Sequence, residues 1–357
     1  MVNVYIETKD APELTPMLVF WPNYRFAFKE KAVFSPEIMA SYTTPFFTIV
    51  PGLEAADFIA VPYHYFDVLD YAPKYLAYVY ALGKTTQKKV LLFDYTDYVE
   101  REIHVPSHAI LFRVSAYRHH KKENEIIMPY FVEDIGRNYS FEQKPKGEKP
   151  TVGYCGQSRF GGTTRKWKAG VKWLLSLFLL YLRLDVKPHV HMRGIFWRRR
   201  ALQVLSKSKS IVSRIIERDF YSLYRAIPFD AKTIRREYVE NLRENVLALS
   251  VRGDANASQR FYEALSAGRI PLFLDTDCVL PLEEIIDYSR IILRVPAQEV
   301  DAISRRVTVW HALVSEGDVL QAGREAREVY ERYLRLEKFF SIVFDREKSP
   351  YKKLLFR

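Results

Sequence analysis

An α/β fold in two domains is predicted for this chain by three observations. Continuous apolar runs of strand length recur between stretches of helical length; a polar segment lies near the middle; and a strand, a loop and a helix follow one another directly at Val251 to Pro271. Apolar runs that do not alternate mark strands buried on both faces, as in parallel sheets. With 357 residues the chain has room for two domains of roughly 100 to 200 each. Its 48% hydrophobic and 27% charged residues are those of a folded globular protein, which sets disorder aside.

In chain order, Phe58 to Pro62 and Val90 to Tyr95 read as buried strands, with a helix over Phe66 to Leu82 that Pro73 must break or start. Ala109 to Val114 and Ile126 to Pro129 are the next strands, so the first part reads as β/α repeats. The stretch F-E-Q-K-P-K-G-E-K-P, Phe141 to Pro150, is a linker by composition. Beyond it T-V-G-Y-C-G is a strand ending at Gly156, followed by a glycine-bearing loop and a helix from near Arg165. Gly156, Ser158, Arg159, Thr163 and Arg165 are candidate oxyanion contacts there, with a plain strand-to-helix connection as the alternative. Ile291 to Val295 is a later strand, and a charged helix over Ala322 to Val343 carries Val329, Tyr333, Leu336 and Phe340 as one stripe. The expected domains are 1–145, 146–322, and a helical segment 323–357 packing back on the first.

The segment Val251 to Pro271 carries most of the functional information. Asn245 to Val251 is apolar enough for a buried strand. Phe261, Ala264 and Leu265 then fall at the spacing of a helix face on a sheet, Gly268 ends that helix, and Ile270 to Leu274 is the next strand. A helix start gathers unpaired N–H groups and the positive end of the helix dipole, so the loop Arg252 to Ser258 suits a diphosphate. Arg260, Glu263 and Ala267 share the face opposite the apolar one, which turns Glu263 away from the core. One turn beyond a phosphate, its carboxylate is placed for two ribose hydroxyls. A surface ion pair between Arg260 and Glu263 is the competing reading.

The net charge of +11 is uneven: from Lys187 to Arg218 nine Lys or Arg face the single acid Glu217, a net +8. Such a cluster attracts phosphate in a nucleotide, a nucleic acid or an anionic membrane, or is simply a solvated face. Cys155 and Cys278 stand 123 positions apart, which indicates neither a disulfide framework nor a zinc site. The first ten residues lack the apolar core of a signal peptide, so a reducing cytoplasm is expected. Val171 to Leu184, about 14 residues, falls short of the roughly 20 that span a bilayer. With the basic stretch behind it, it leaves peripheral contact with the inner face of the plasma membrane as an expectation.

The block R-G-D-A-N-A-S-Q-R-F-Y-E-A-L-S-A-G-R-I-P-L-F-L-D-T-D-C-V-L-P, Arg252 to Pro281, resembles the signature of the exostosin family of glycosyltransferases, in particular its bacterial members. Weaker echoes are A-D-F-I-A-V-P-Y at Ala56 to Tyr63 and I-I-M-P-Y at Ile126 to Tyr130. The resemblance implies a GT-B fold, two Rossmann-like domains facing across a cleft with the C-terminal helix crossing back. It implies inverting transfer of a sugar from a nucleotide donor, UDP favoured, with no cofactor or metal required, to a glycan or lipid-linked glycan of a bacterial surface polysaccharide. By position, Glu263 would hold the donor ribose. Arg252, the N–H groups around Gly253, Asn256 and Ser258, and Arg260 would hold the diphosphate.

An inverting displacement needs a base opposite the leaving nucleotide. In a GT-B arrangement it comes from strand ends of the first domain, where Asp97 and His64 fit by position, and Asp94 sits deeper. Each could equally cap a helix or bond backbone. Two other classes compete. A non-catalytic binder of nucleic acid or an anionic surface would use the basic stretch, but no recognition motif accompanies it. A dehydrogenase would need a G-x-G-x-x-G after a strand, which is absent from the sequence.

Overall fold

The computed structural model describes residues 1–24, 41–159, 192–219 and 230–356, with isolated positions at 38, 167, 170, 171, 174, 175, 178 and 182. Within these it forms two units, Met1–Phe131 with Val279–Ile286 and Arg332–Arg357, and Val132–Cys278 with Asp287–Glu331.

The first unit is built on a six-stranded sheet: β1 (Val2–Tyr5), β2 (Phe47–Val50), β3 (Phe58–His64), β4 (Val90–Asp94), β5 (Ala109–Arg113) and β6 (Glu125–Ile127). Every pairing is parallel, and the spatial order is β2-β1-β3-β4-β5-β6. β4 and β5 are buried along their whole length, which is why their sequences read as unbroken apolar runs. Between β3 and β4, α1 (Tyr65–Tyr71) and α2 (Pro73–Thr86) replace the single helix, since Pro73 starts a helix well and continues one badly.

The second unit holds β7 (Thr151–Gln157), β8 (Val212–Arg218), β9 (Leu247–Val251), β10 (Ile270–Asp275) and β11 (Leu293–Pro296). They too are all parallel, in the order β8-β7-β9-β10-β11. Each unit therefore places its second strand on one side of its first and the later strands on the other. The chain switches direction between β1 and β3, and again between β7 and β9. In open parallel sheets the crevice outside the strands' C-terminal ends at such a switch is where ligands bind. The helices that matter for the second crevice are α3 (Ile135–Tyr139), α4 (Gly194–Lys207), α5 (Ala231–Glu244) and α6 (Gln259–Ser266).

The division differs from the expected boundaries after Phe131, at the insertion Val279–Ile286 and at Arg332 in place of 323, each for a packing reason that composition hides. The chain passes to the second unit after Phe131, not at 145, because Ile135 is buried with Val239, Leu242, Ala248, Ala264 and Ala267. The polar stretch that follows is tied down: Lys146 Nζ donates to Val314 O at 2.8 Å and Lys149 Nζ to Lys209 O at 3.2 Å. The short insertion Val279–Ile286 belongs to the first unit, where Val279 packs on Ala116 and Ile127 and Arg118 makes a two-pronged bond to Glu283.

The final helical stretch is three pieces: α7 (Glu316–Val329), a π-helical turn over Tyr330–Leu334, and α8 (Leu336–Val343). That wider turn and the extended Arg335 shift the register, so Tyr330 and Leu334 are buried where Val329 and Tyr333 were expected. Leu336 and Phe340 are buried as expected, and Phe340 meets Phe46, Phe47, Phe93 and Phe112 with ring centroids 5.2 to 6.5 Å apart, inside the first unit.

Candidate functional site

At the second switch point, β7 ends on Gly156 and Gln157 while β9 ends on Val251 and runs into Arg252 and Gly253. Gly156 has φ +154°, a backbone conformation that favours glycine, and a Cβ there would stand 2.4 Å from Arg260 Nη2, the end of a flexible side chain. α4 presses on the loop after β9: a Cβ on Gly194 would meet Arg252 O at 2.1 Å and Gly253 O at 2.4 Å. That close approach lets Arg198 donate from Nε and Nη2 to Arg252 O at 3.1 and 3.0 Å, and from Nη1 to Gln157 O at 2.7 Å. One side chain thus bridges the ends of both central strands. Arg193 reaches Asp254 at 2.8 Å.

Arg252 is 3% exposed, and its Nη2 donates to Asp254 O at 2.7 Å, so it shapes the loop from within. Asn256 is fully buried; it accepts from Thr276 Oγ1 at 2.6 Å and donates to Thr276 O at 3.2 Å. Its side chain fastens the loop to the end of β10. Gly253 N–H is likewise used, donating to Ala257 O at 2.9 Å. Ser258 is the N-cap residue of α6, and its hydroxyl makes no capping bond to the helix.

Arg260 does not pair with Glu263. Its guanidinium lies 4.4 Å from the Tyr154 ring centroid, its Nη2 donates to Cys155 O at 2.7 Å, and its Nε is buried with no partner among the described residues. Ala267, expected on an outward face, is 2% exposed. α6 is covered twice, by the sheet on one side and by α3, α5 and the helix Glu316–Val329 on the other, so its spacing pattern does not single out one buried face. Glu263 is consequently turned toward α5, where its Oε2 accepts from Tyr238 Oη at 2.5 Å and its Oε1 from Arg235 Nη1 at 3.4 Å. Its side chain is 16% exposed. Arg235 and Tyr238 escaped the sequence reading, although their i, i+3 spacing on an amphipathic helix before β9 was a signal.

Arg159 is 65% exposed, 3.7 Å from Glu217, whose other oxygen accepts from Ser158 Oγ at 2.6 Å. Thr163 and Arg165, with the loop between, lie outside the described residues. The basic stretch is not one face. In its described part, residues 192–218, it is α4 followed by β8, and Arg200, Arg214 and Arg218 pair with Asp301, Glu244 and Glu237.

In the first unit, His64 ends β3 and Asp94 ends β4. Tyr95 N–H donates to His64 Nδ1 at 3.2 Å, and burial lowers the imidazole below its ordinary 6.5. The neutral ring therefore carries its proton on Nε2 and offers no second acceptor. Asp94, 1% exposed, accepts from Thr96 Oγ1 at 3.0 Å, and burial pushes its carboxyl up to about 6 against the pull of Arg113. Asp97 is exposed on the following loop. No cluster of three His, Cys, Asp or Glu with metal-binding geometry occurs among the described residues.

The second unit thus sets four guanidinium groups around the ends of β7 and β9, beside a carboxylate one helical turn into α6. Residues 205–309, which include that helix, match the family described as the Exostosin GT47 domain. No curated protein is matched. Among solved structures the chain is similar to "Crystal Structure of TarM" at 12% identity and TM-score 0.32, covering 75% of this chain and 55% of that one. It is also similar to "Spinosyn Rhamnosyltransferase SpnG complexed with thymidine diphosphate", at 12% identity and TM-score 0.33, covering 78% of each. The chain spans little more than half the length of the first of these. The match to the Exostosin GT47 domain is confined to residues 205–309, and it supports an exostosin-like glycosyltransferase family for that part of the chain.

Proposed function

We propose that the protein transfers a sugar, with inversion, from a nucleoside diphosphate sugar to a glycan or lipid-linked glycan of a bacterial surface polysaccharide, and needs no metal. The observation that carries this reading is the set of guanidinium groups about the second switch point. Arg193, Arg198, Arg252 and Arg260 converge there on a loop running into a helix start, the setting that favours a diphosphate. Glu263 lies one turn further along the same helix. UDP is the favoured nucleotide, on the family resemblance.

For the base we favour Asp97. His64 has its Nδ1 occupied by a backbone donor, and Asp94 is sealed from solvent, whereas Asp97 is exposed on the loop after β4.

Thermal shift with UDP, GDP and CMP and their sugars, in EDTA, tests the reading. A nucleotide at a hundred times its Kd adds about 2.7 kcal/mol, a rise of several degrees in Tm, and Glu263→Ala should reduce that rise while keeping the apo Tm within a few degrees. No shift with any nucleotide, together with polyanion binding that falls steeply with salt, would favour the non-catalytic binder instead.

A further inference from the structure

We infer that Tyr238 and Arg235 are positioning residues that hold the Glu263 carboxylate in place for the 2′- and 3′-hydroxyls of a ribonucleotide, and so make the site select ribo- over deoxyribonucleotides. This rests on the donor reading above. A carboxylate side chain on a helix surface ordinarily samples several rotamers, and ordering it on binding costs affinity. Glu263 is already ordered. Tyr238 Oη donates to one oxygen at 2.5 Å and Arg235 Nη1 to the other at 3.4 Å, from positions three residues apart on α5.

Both donors are themselves anchored. The other amino group of Arg235 bonds Glu133, which is 3% exposed and whose second oxygen accepts from Asn138 Nδ2 at 2.8 Å. The Arg235 guanidinium also lies 5.3 Å from the Tyr238 ring centroid and 5.8 Å from that of Tyr139. Burial, and then the Glu263 charge, hold the Tyr238 phenol well above its ordinary 10, so it stays a proton donor over the whole working pH range. The relay Asn138, Glu133, Arg235, Glu263 therefore ends on a carboxylate whose two oxygens each have one lone pair engaged and one to give. Two acceptors side by side in a fixed plane match a cis-diol, and a missing hydroxyl leaves one of them desolvated without a partner. A site built to bond a hydroxyl rejects the analogue that lacks it far more strongly than an apolar pocket could.

Calorimetric titration of the full chain with UDP, 2′-deoxy-UDP, 3′-deoxy-UDP and inorganic pyrophosphate tests this, with GDP and its deoxy forms as the second series. The wild type should bind the ribonucleotide at least tenfold more tightly than either deoxy form. Tyr238→Phe keeps the ring and the cation contact and removes only the hydroxyl. It should weaken the ribonucleotide about tenfold, leave the deoxy forms and pyrophosphate within twofold, and so collapse the discrimination. Arg235→Lys should do the same to a smaller degree. Equal weakening of all ligands by Tyr238→Phe would mean a clamp between α5 and α6 and would overturn the inference. Tight ribonucleotide binding by the wild type without discrimination would overturn it too, while leaving the donor reading intact. Binding of neither nucleotide would defeat the donor reading itself.

Discussion

Asp94 lies at the end of β4 with 1% of its surface exposed, and burial pushes its carboxyl from the ordinary 3.8 to about 6. Between those values the folded state holds a proton that the unfolded chain has released. Its contribution is therefore fully present below about pH 4 and is lost as the pH rises through 6, an effect of about 3 kcal/mol. Asp94→Asn should flatten this dependence: urea melts at pH 4.5 and 7.5 should show the variant gaining on the wild type at the higher pH. An unchanged difference between the two would place Asp94 in contact with water. At this scale the sequence located Glu263 and Arg260, because their distance from a helix start is a local quantity. It did not reveal what Glu263 faces. Tyr238 and Arg235 are 25 and 28 positions upstream, and only the packing of α5 against α6 brings them within bonding distance.

Helices and strands were legible where their surroundings were simple. β3, β4, β5, β7, β9 and β10 lie where apolar runs place them, within a few residues at either end, since a strand covered on both faces needs no pattern beyond continuity. α6 was misread on one face because periodicity assumes a single buried side, and this helix has two. The stretch after β7 extends the lesson. Trp167, Val171, Leu174, Leu175, Phe178 and Leu182 recur at helical spacing and are 45 to 73% exposed. From Arg159 to Arg200 the sequence carries eleven Lys or Arg against one acid, Asp185. Exposed apolar residues among basic ones are the composition of a helix lying in a membrane interface, which is the composition behind the expectation of peripheral membrane contact. Cosedimentation with vesicles should show binding that requires anionic lipid, reduced at least tenfold by Leu174→Glu with Phe178→Glu. Equal binding to neutral vesicles, or none to either kind, would remove the membrane from this protein's function.

For the molecule as a whole, the base and the nucleotide contacts of the proposed reaction are separable by measurement. Asp97→Asn should accordingly lower turnover by a factor of about 10² to 10⁴ with nucleotide affinity unchanged, as read by sugar transfer and titration side by side. His64→Asn, whose amide oxygen can still accept from Tyr95 N–H, should stay within tenfold of wild type. A full-rate Asp97→Asn enzyme would move the base elsewhere. That two α/β units exist is written in local signals: strand-length apolar runs, a helix-breaking proline, a glycine-bounded loop before a short helix. Where the units divide is not, because Ile135, Val279 and Phe340 join their cores across long stretches of sequence and carry no local mark of doing so. The sequence by itself determined the fold class and the place of the loop and helix that carry the family signature, both being short-range consequences of spacing and backbone chemistry. The tertiary structure decided which groups Arg252, Asn256, Arg260 and Glu263 engage, since a buried polar group must find partners and those partners come from wherever packing brings them.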